Sequence, residues 1–392
     1  MEPYEILARL AEHGTPPDGD VVLRMSVGLE DTLQRFETEI LSFVSAGGAE
    51  LRFFYGPYGR GKTHLLKSLQ ALAKHRGFVT AYIDCRAEQS PFATMEDTYR
   101  MIVSCMEPPD GSNGVGVEAV IRAGLNNFED EQSISNRLRK EQRLELGMRN
   151  LVSAYIETLF NDDRNRYLRD LGILLNAGDH DFTMQDLYRR YPKAPRPLGK
   201  LSGRNAGLWV RSLAAIPSVL NYPGFLILFD ETEKSHHMAN WRTRKRHQHL
   251  VNIRNLVDHV ATGNFSGCAF CFAVVEEFME IAGSSLEALA QRIERINYED
   301  FNPRAVWTSL DELTSPSPSN EGFFQELGAR VVDVAVDAGM DTSQIDVLKK
   351  EFQRLGQKAI TDISSGAVRE FVKSAAAGAA QLIDTVKGTR HV

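Results

Sequence analysis

Apolar and polar residues alternate along this chain in two rhythms. At helical spacing, apolar positions recur over residues 2–12 (Leu7, Leu10, Ala11) and over Leu29–Val44 (Leu29, Leu33, Phe36, Ile40, Phe43, Val44). Gly14-Thr-Pro-Pro-Asp-Gly19 breaks the first pattern, and Gly47-Gly48 ends the second. Mostly apolar runs of strand length then appear at Leu51–Tyr55, Phe78–Cys85, Phe225–Phe229 and 268–275, the third without any polar residue. Runs with no polar face are the mark of parallel strands covered on both sides. Between them lie helical patterns: one from the first strand to about Lys74, closed by His75-Arg76-Gly77, then Ala206–Leu220, Thr243–Val260 and Leu286–Ile296. A flexible connection at 108–116 opens a charge-rich helical block that runs to about residue 216, interrupted by the Pro-rich stretch Tyr191–Pro197. Within it Leu144, Met148, Leu151, Val152, Tyr155, Ile156 and Leu159 form one apolar face. Asn297–Phe301 reads as a last strand. After Pro303 only helical patterns remain, roughly at 304–313, 321–338, 343–357 and 366–386.

Strands alternating with helices predict an α/β fold, a parallel sheet with helices on both faces. The expected division is a sheet domain over 1–302, with a helical insertion at about 108–216, and a helical domain over 303–392.

The stretch Leu51–Leu66, LRFFYGPYGRGKTHLL, adds chemistry to this frame. Gly56, four residues, and Gly61-Lys62-Thr63 form G-x-x-x-x-G-K-[ST] between a strand and a helix, which is the setting that the motif requires. Gly56, Gly59 and Gly61 let the backbone of Pro57, Tyr58, Arg60 and His64 turn tightly around phosphate oxygens at a helix N-terminus. Lys62 would reach the β/γ-phosphates, and the Thr63 hydroxyl would take a Mg²⁺ position. Nucleoside triphosphate binding follows from this stretch alone.

A second signal is Phe225-Leu-Ile-Leu-Phe-Asp230-Glu231, an apolar strand that ends in two carboxylates. At the carboxyl end of a central parallel strand such acids meet the site. Asp230 is expected to hold Mg²⁺, directly or through water, and Glu231 to polarise the water that attacks the γ-phosphorus. The pair moves the expectation from binding to hydrolysis. The helical tail at 303–392 would then act as a lid over the nucleotide cleft.

Composition sets bounds. The chain has 392 residues, 43% hydrophobic and 25% charged, as in an ordinary globular protein. A net charge of −7 argues against coating nucleic acid with the whole surface, but leaves room for a local basic patch. No run of about 18 apolar residues predicts a transmembrane helix, and the acidic, amphipathic start does not read as a secretory signal. Cys268 and Cys271 fall three apart on a strand, on opposite faces, so they are expected to be core thiols rather than a disulfide or metal pair. A reducing, cytoplasmic location is expected.

The wording Gly-Pro-Tyr-Gly-Arg-Gly-Lys-Thr at 56–63 resembles AAA+ proteins, and more narrowly the P-loop ATP-binding proteins of BREX-type phage-defence systems. Val27-Gly28, one helix ahead of the loop, is similar to the segment that contacts adenine in initiator-like AAA+ proteins. Asn221-Tyr-Pro-Gly224 resembles that family's lead into its Asp-Glu strand, and Ser365-Gly-Ala-Val-Arg369 a lid-helix G-x-x-R whose arginine senses the γ-phosphate. The resemblance implies an ATPase using ATP and Mg²⁺ within a DNA-directed defence complex. It also implies a superfamily-2 helicase or another defence protein as partner, and leaves open whether the chain acts alone or as an ATP-dependent homo-oligomer. The alternative is an ATP-gated scaffold or a DNA-binding loader with little hydrolysis.

The chain also departs from that family. Where AAA+ proteins carry a polar sensor after the third central strand, it has Val274-Val-Glu-Glu277; Glu276 and Glu277 either substitute or are exposed loop acids. Arg292 and Arg295, three apart on one helix face, either reach into a neighbouring subunit's site or form a solvated basic face. Trp241 and the cluster Arg242-Thr-Arg-Lys-Arg246, followed by His247 and His249, either contact double-stranded DNA or lie on a solvated helix. His236-His237 and Asp179-His180-Asp181 lack the spacing of a metal site and read as loop residues.

Overall fold

The computed structural model describes residues 2–85, 92–111, 114–160, 165–179, 181–231, 243–293, 307–310, 319–361 and 366–389. Among these residues six strands form one sheet in the order β3-β2-β4-β5-β1-β6: β1 (Ala49–Tyr55), β2 (Val79–Asp84), β3 (Met106–Glu107), β4 (Phe225–Asp230), β5 (Cys268–Val274) and β6 (Trp307–Ser309). Every pairing is parallel except β2 with β3. The carboxyl ends of β1, β2, β4, β5 and β6 therefore share one edge. The register there sets Tyr55 beside Val274 and Ser309, and Asp84 beside Asp230.

The helices used below are α1 (Pro3–His13), α2 (Lys62–His75), α3 (Met95–Cys105), α4 (Leu146–Phe160), α5 (Ala206–Val219), α6 (Thr243–Ala261), α7 (Ser319–Asp337), α8 (Ile345–Thr361) and α9 (Ala367–Thr389). The connection from β2 to β4 carries the expected helical insertion, which is not a detached lobe. Tyr99 of α3, Met148, Leu151 and Tyr155 of α4, and Trp209 of α5 bury in the same core as Leu51, Phe53, Ile227 and Phe229 of the sheet. The Trp209 indole N–H donates to Glu145 Oε2 at 2.9 Å, so the ring is buried with its polar edge satisfied. The aromatic rungs of three neighbouring strands stack beneath this core: Phe53 on Phe272 at 4.7 Å, and Phe229 on Phe272 at 4.8 Å.

The other face of the sheet belongs to α2 and to residues 29–44. Leu65, Leu66, Leu69 and Ala73 pack with Phe36, Ile40, Val44, Leu226, Leu228 and Cys271. Helix α2 stops where the sequence signals, at Gly77 (φ +77°), with the Phe78 N–H donating to Ala73 O at 2.9 Å. Cys268 and Cys271 are both buried, one in each of these cores, and neither is in a disulfide. Burial pushes both thiols up.

A third core lies away from the sheet. Leu7 and Leu10 of α1, with Met25 and Val27, bury against Phe324, Val331 and Ala335 of α7, Leu348 and Phe352 of α8, and Phe371 and Ala375 of α9. The first 27 residues, expected with the sheet, thus share a core with the C-terminal helices.

One local expectation is corrected, and three features are added. Trp307–Ser309 is a strand on the outer edge of β1, not part of a helix over 304–313; three residues are too few to show a period. Met106–Glu107 adds an antiparallel edge to the parallel sheet, and a helix at Glu277–Ser285 precedes the expected one. The helix over 29–44 contains a π-helical turn at Phe36–Leu41. The strand expected at Asn297–Phe301 lies outside the described residues. Among those described, no helix is long and apolar enough to cross a membrane.

The shared terminal core can be tested. Leu7 is fully buried, so Leu7→Ala should lower stability by about 2–4 kcal/mol. The exposed Leu208→Ala should change it by less than about 0.5 kcal/mol. Urea unfolding measures both; equal midpoints would mean that α1 is a loose appendage.

Candidate functional site

The glycine-rich loop leaves β1 while its Gly56 N–H still donates to Val274 O of β5 at 3.3 Å. Gly59 (φ +77°) and Gly61 (φ +98°) occupy left-handed conformations that a side chain would resist, and α2 begins at Lys62. The Lys62 ammonium is buried and donates to Gly56 O at 2.7 Å and Pro57 O at 3.1 Å. It also lies 5.1 Å from the Tyr58 ring centroid. Thr63 sits in the first turn of α2, half-buried.

Asp230 and Glu231 end β4 at the same edge of the sheet. Asp230 is completely buried, and both carboxylate oxygens accept hydrogen bonds: Oδ2 from the Tyr82 hydroxyl at 2.5 Å, Oδ1 from the Glu231 N–H at 2.9 Å. Glu231 has φ +52°, a conformation that costs a non-glycine residue of order 1–3 kcal/mol. The Cys85 N–H donates to Asp230 O at 3.0 Å, so the β2–β4 ladder runs up to these acids.

His64 bonds to the N-terminal segment. Its Nε2 lies 2.9 Å from Ser26 Oγ, which is 3.1 Å from Ser68 Oγ and donates to Val22 O at 3.0 Å. Burial pushes the His64 imidazole down from its usual value to about 4. Val27 is buried in the core of the terminal helices, whereas Gly28 (φ +73°) borders open space.

The arginines are dispersed. Arg292 pairs with Asp258 of α6, which also meets Arg254 at 3.4 Å, so within this chain it is held by an intramolecular partner. Arg295 lies outside the described residues. Arg369, in the first turn of α9, packs beside Gly14 at the end of α1 and lines a cleft with Glu12, His13, Thr15, Glu370 and Lys373. Glu276 and Glu277 are exposed. Trp241, Arg242 and His236-His237 lie outside the described residues, as do the side chains of residues 243–246. His249 is buried, edge-on to Phe92 at 5.4 Å, so this member of the basic cluster belongs to the core.

Two site neighbours escape a reading of the sequence. Tyr82 and Asp84 share one face of β2, and register alone brings them to Asp230. The only sequence signal is that FVTAYIDC carries polar groups at alternate positions.

The residues fit a triphosphate and a magnesium ion. Two backbone carbonyls now take the Lys62 ammonium, and phosphate oxygens would offer it anionic acceptors instead. Among the described residues no group of three His, Cys, Asp or Glu could hold a metal. Magnesium in nucleotide sites needs fewer protein ligands, since phosphates and water complete its shell.

A mostly parallel α/β sheet with a glycine-rich loop and an acidic strand end at one edge is consistent with a P-loop nucleotide-binding fold. The model of one family, BREX system ATP-binding protein BrxC/D, matches residues 3–175 and 199–376, and the chain belongs to that family. Comparison with curated proteins and with solved structures returns no match. The family supports ATP as ligand and implies a role in a phage-defence system, with other BREX components as partners.

The His64 site makes stability pH-dependent. A histidine whose folded value lies below its unfolded one is neutral in the fold and charged sooner in the unfolded chain. Stability should therefore fall as pH drops from about 6.5 towards about 4. Chemical denaturation without nucleotide or metal should show this loss, amounting to about 2–3 kcal/mol. His64→Gln, which offers Ser26 a hydrogen-bonding amide but does not titrate, should lack that contribution.

Proposed function

We propose that this chain is an ATPase of the AAA+ type, hydrolysing ATP with Mg²⁺ to drive a conformational switch in a DNA-directed antiphage complex. The observation that carries the reading is the pair at the end of β4. A buried Asp230 is followed by a Glu231 held in left-handed backbone, at the same sheet edge as the Lys62 loop.

In this reading the loop backbone and Lys62 hold the β- and γ-phosphates, and Thr63 with Asp230 holds the metal. Bound Mg²⁺ supplies charge neutralisation on the phosphate oxygens. Glu231 orients the attacking water and takes its proton. Val27-Gly28 faces the base, and residues 303–392 form the lid, with Arg369 reporting the γ-phosphate. Arg369 now sits beside Gly14, so that role requires the lid to close on nucleotide. A role for Arg292 in a neighbouring subunit requires release from Asp258. Cytoplasmic location, a helicase partner, duplex contact through Arg242–Arg246, and Arg295 acting across a subunit boundary belong to the same proposal.

A second reading, an ATP-gated scaffold, draws on the exposed Glu276-Glu277, where the family resemblance leads one to expect a polar sensor. Turnover separates the two. Lys62→Ala should abolish tight ATP binding. Glu231→Gln should bind ATP with near wild-type affinity and slow hydrolysis by about 10²–10⁴-fold. Equilibrium binding of labelled ATP and phosphate release measure these effects. Normal turnover in Glu231→Gln would remove Glu231 from catalysis. Wild-type protein that never hydrolyses ATP, even with duplex DNA and partner components, would favour the scaffold.

A further inference from the structure

We propose that Tyr82 is a positioning residue for Asp230, fixing the carboxylate in the orientation in which it meets a divalent cation. Lys67 and Asp18 carry that hold back to the N-terminal segment. The inference rests on the reading of Asp230 as the metal-facing carboxylate.

The geometry follows from strand register. Tyr82 pairs with Leu228 and Asp84 with Asp230, so Tyr82 and Asp230 lie one diagonal step apart on one face of the sheet. A tyrosine is long enough to span that step. A wholly buried carboxylate is costly unless donors compensate it. Among the described residues each oxygen has one donor, the Tyr82 hydroxyl at 2.5 Å and the Glu231 N–H at 2.9 Å. Two donors on opposite oxygens fix the carboxylate plane, and each oxygen retains a lone pair. The Glu231 contact comes from the adjacent residue and follows the chain wherever it goes. The Tyr82 contact comes from another strand and ties the carboxylate to the sheet.

The tyrosine is itself held. Lys67 Nζ stands 4.1 Å from the centroid of its ring, and Lys67 forms an ion pair with Asp18. A cation over the ring draws electron density from it and makes the phenol a stronger donor. Asp18 precedes a short helix, Asp20–Arg24, and Asp20 meets His75 at the other end of α2 at 2.5 Å. Ser26 closes the segment against His64. The stretch 18–26 thus lies along α2, and one of its anchors, through Lys67 and Tyr82, reaches Asp230.

Tyr82→Phe removes the hydroxyl and keeps the ring under Lys67. In the full-length chain, a fluorescent ATP analogue titrated with Mg²⁺ separates nucleotide binding from its metal dependence. Losing a ligand's hydrogen-bond partner costs 10–100-fold in metal affinity. Tyr82→Phe should therefore need roughly tenfold more Mg²⁺ for half of the Mg²⁺-dependent signal. Affinity in EDTA should stay within about twofold, since Tyr82 lies on β2, which β4 and β5 separate from β1 and its loop. Lys67→Met should shift the Mg²⁺ midpoint in the same direction by less, and Lys67→Arg should restore it. A wild-type Mg²⁺ midpoint in Tyr82→Phe, with or without a lower melting temperature, would overturn the proposal and leave Tyr82 as a structural partner. Asp230→Asn tests the underlying reading: unchanged Mg²⁺ dependence in that variant removes Asp230 as the metal carboxylate. If Asp230→Asn loses the dependence while Tyr82→Phe keeps it, only the inference about Tyr82 falls.

Discussion

Parallel pairing across β1, β5, β4 and β2 is the constraint from which the rest of the structure follows. Parallel neighbours need long crossovers, and strands that are apolar on both faces need cover on both. The chain meets the first demand with α2 and the helical insertion, and the second with two cores, one on each face of the sheet. Because α2 starts where β1 ends, its N-terminus stands at the carboxyl edge. β4 ends at that same edge, one strand beyond β5. The glycine-rich loop and the acidic pair, about 170 residues apart in sequence, stand at one edge of the sheet for that reason. A one-residue slip of β4 would turn Asp230 to the opposite face, away from Tyr82 and α2.

The N-terminal segment joins this sheet to the terminal helices. Met25 and Val27 bury against the C-terminal helices, while Ser26 between them bonds to His64 and Ser68 of α2. Three consecutive residues thus belong to two cores. A displacement of the helical cluster must either carry the first turn of α2 with it or break a buried hydrogen-bond network, which is costly. This contiguity gives a physical route between the loop and the distant helices. It does not need Arg369 to touch nucleotide.

Much of this was legible in the sequence because the responsible signals are local. Strand-length apolar runs gave β1, β2, β4 and β5, and Gly56 to Thr63 marked the loop between β1 and α2. Opposite-face placement of Cys268 and Cys271 followed from pleat alone. What escaped depends on register or on partners far away in sequence. Trp307–Ser309 is a strand only because β1 offers it an edge. Tyr82 reads as one more strand residue until β4 is set beside it. The association of residues 3–27 with the C-terminal helices has no sequence signal beyond an amphipathic face, which says that something covers it but not what. His64 follows the motif and reads as part of the phosphate cradle, and only the fold turns it towards Ser26.

Two features of the site work against stability. Among the described residues three that are not glycine have positive φ: Ala177, Asn221 and Glu231. Asparagine tolerates that conformation, but a glutamate gains nothing from it locally. Glycine at 231 would relieve the strain and lose the carboxylate. The Glu231 N–H also donates to Asp230 Oδ1, a contact set by the Asp230 backbone and side-chain torsions and independent of the left-handed turn that follows it. Burial of Asp230 adds a desolvation cost that Tyr82 and this N–H offset. Both costs fall at the tip of β4, whose opposite face carries Phe229, stacked on Phe272 as Phe53 is, with the Phe92 ring 5.0 Å from Phe229. Aromatic burial is among the largest stabilising contributions that a side chain makes. Its concentration on the face opposite Asp230 anchors the strand whose end carries both costs.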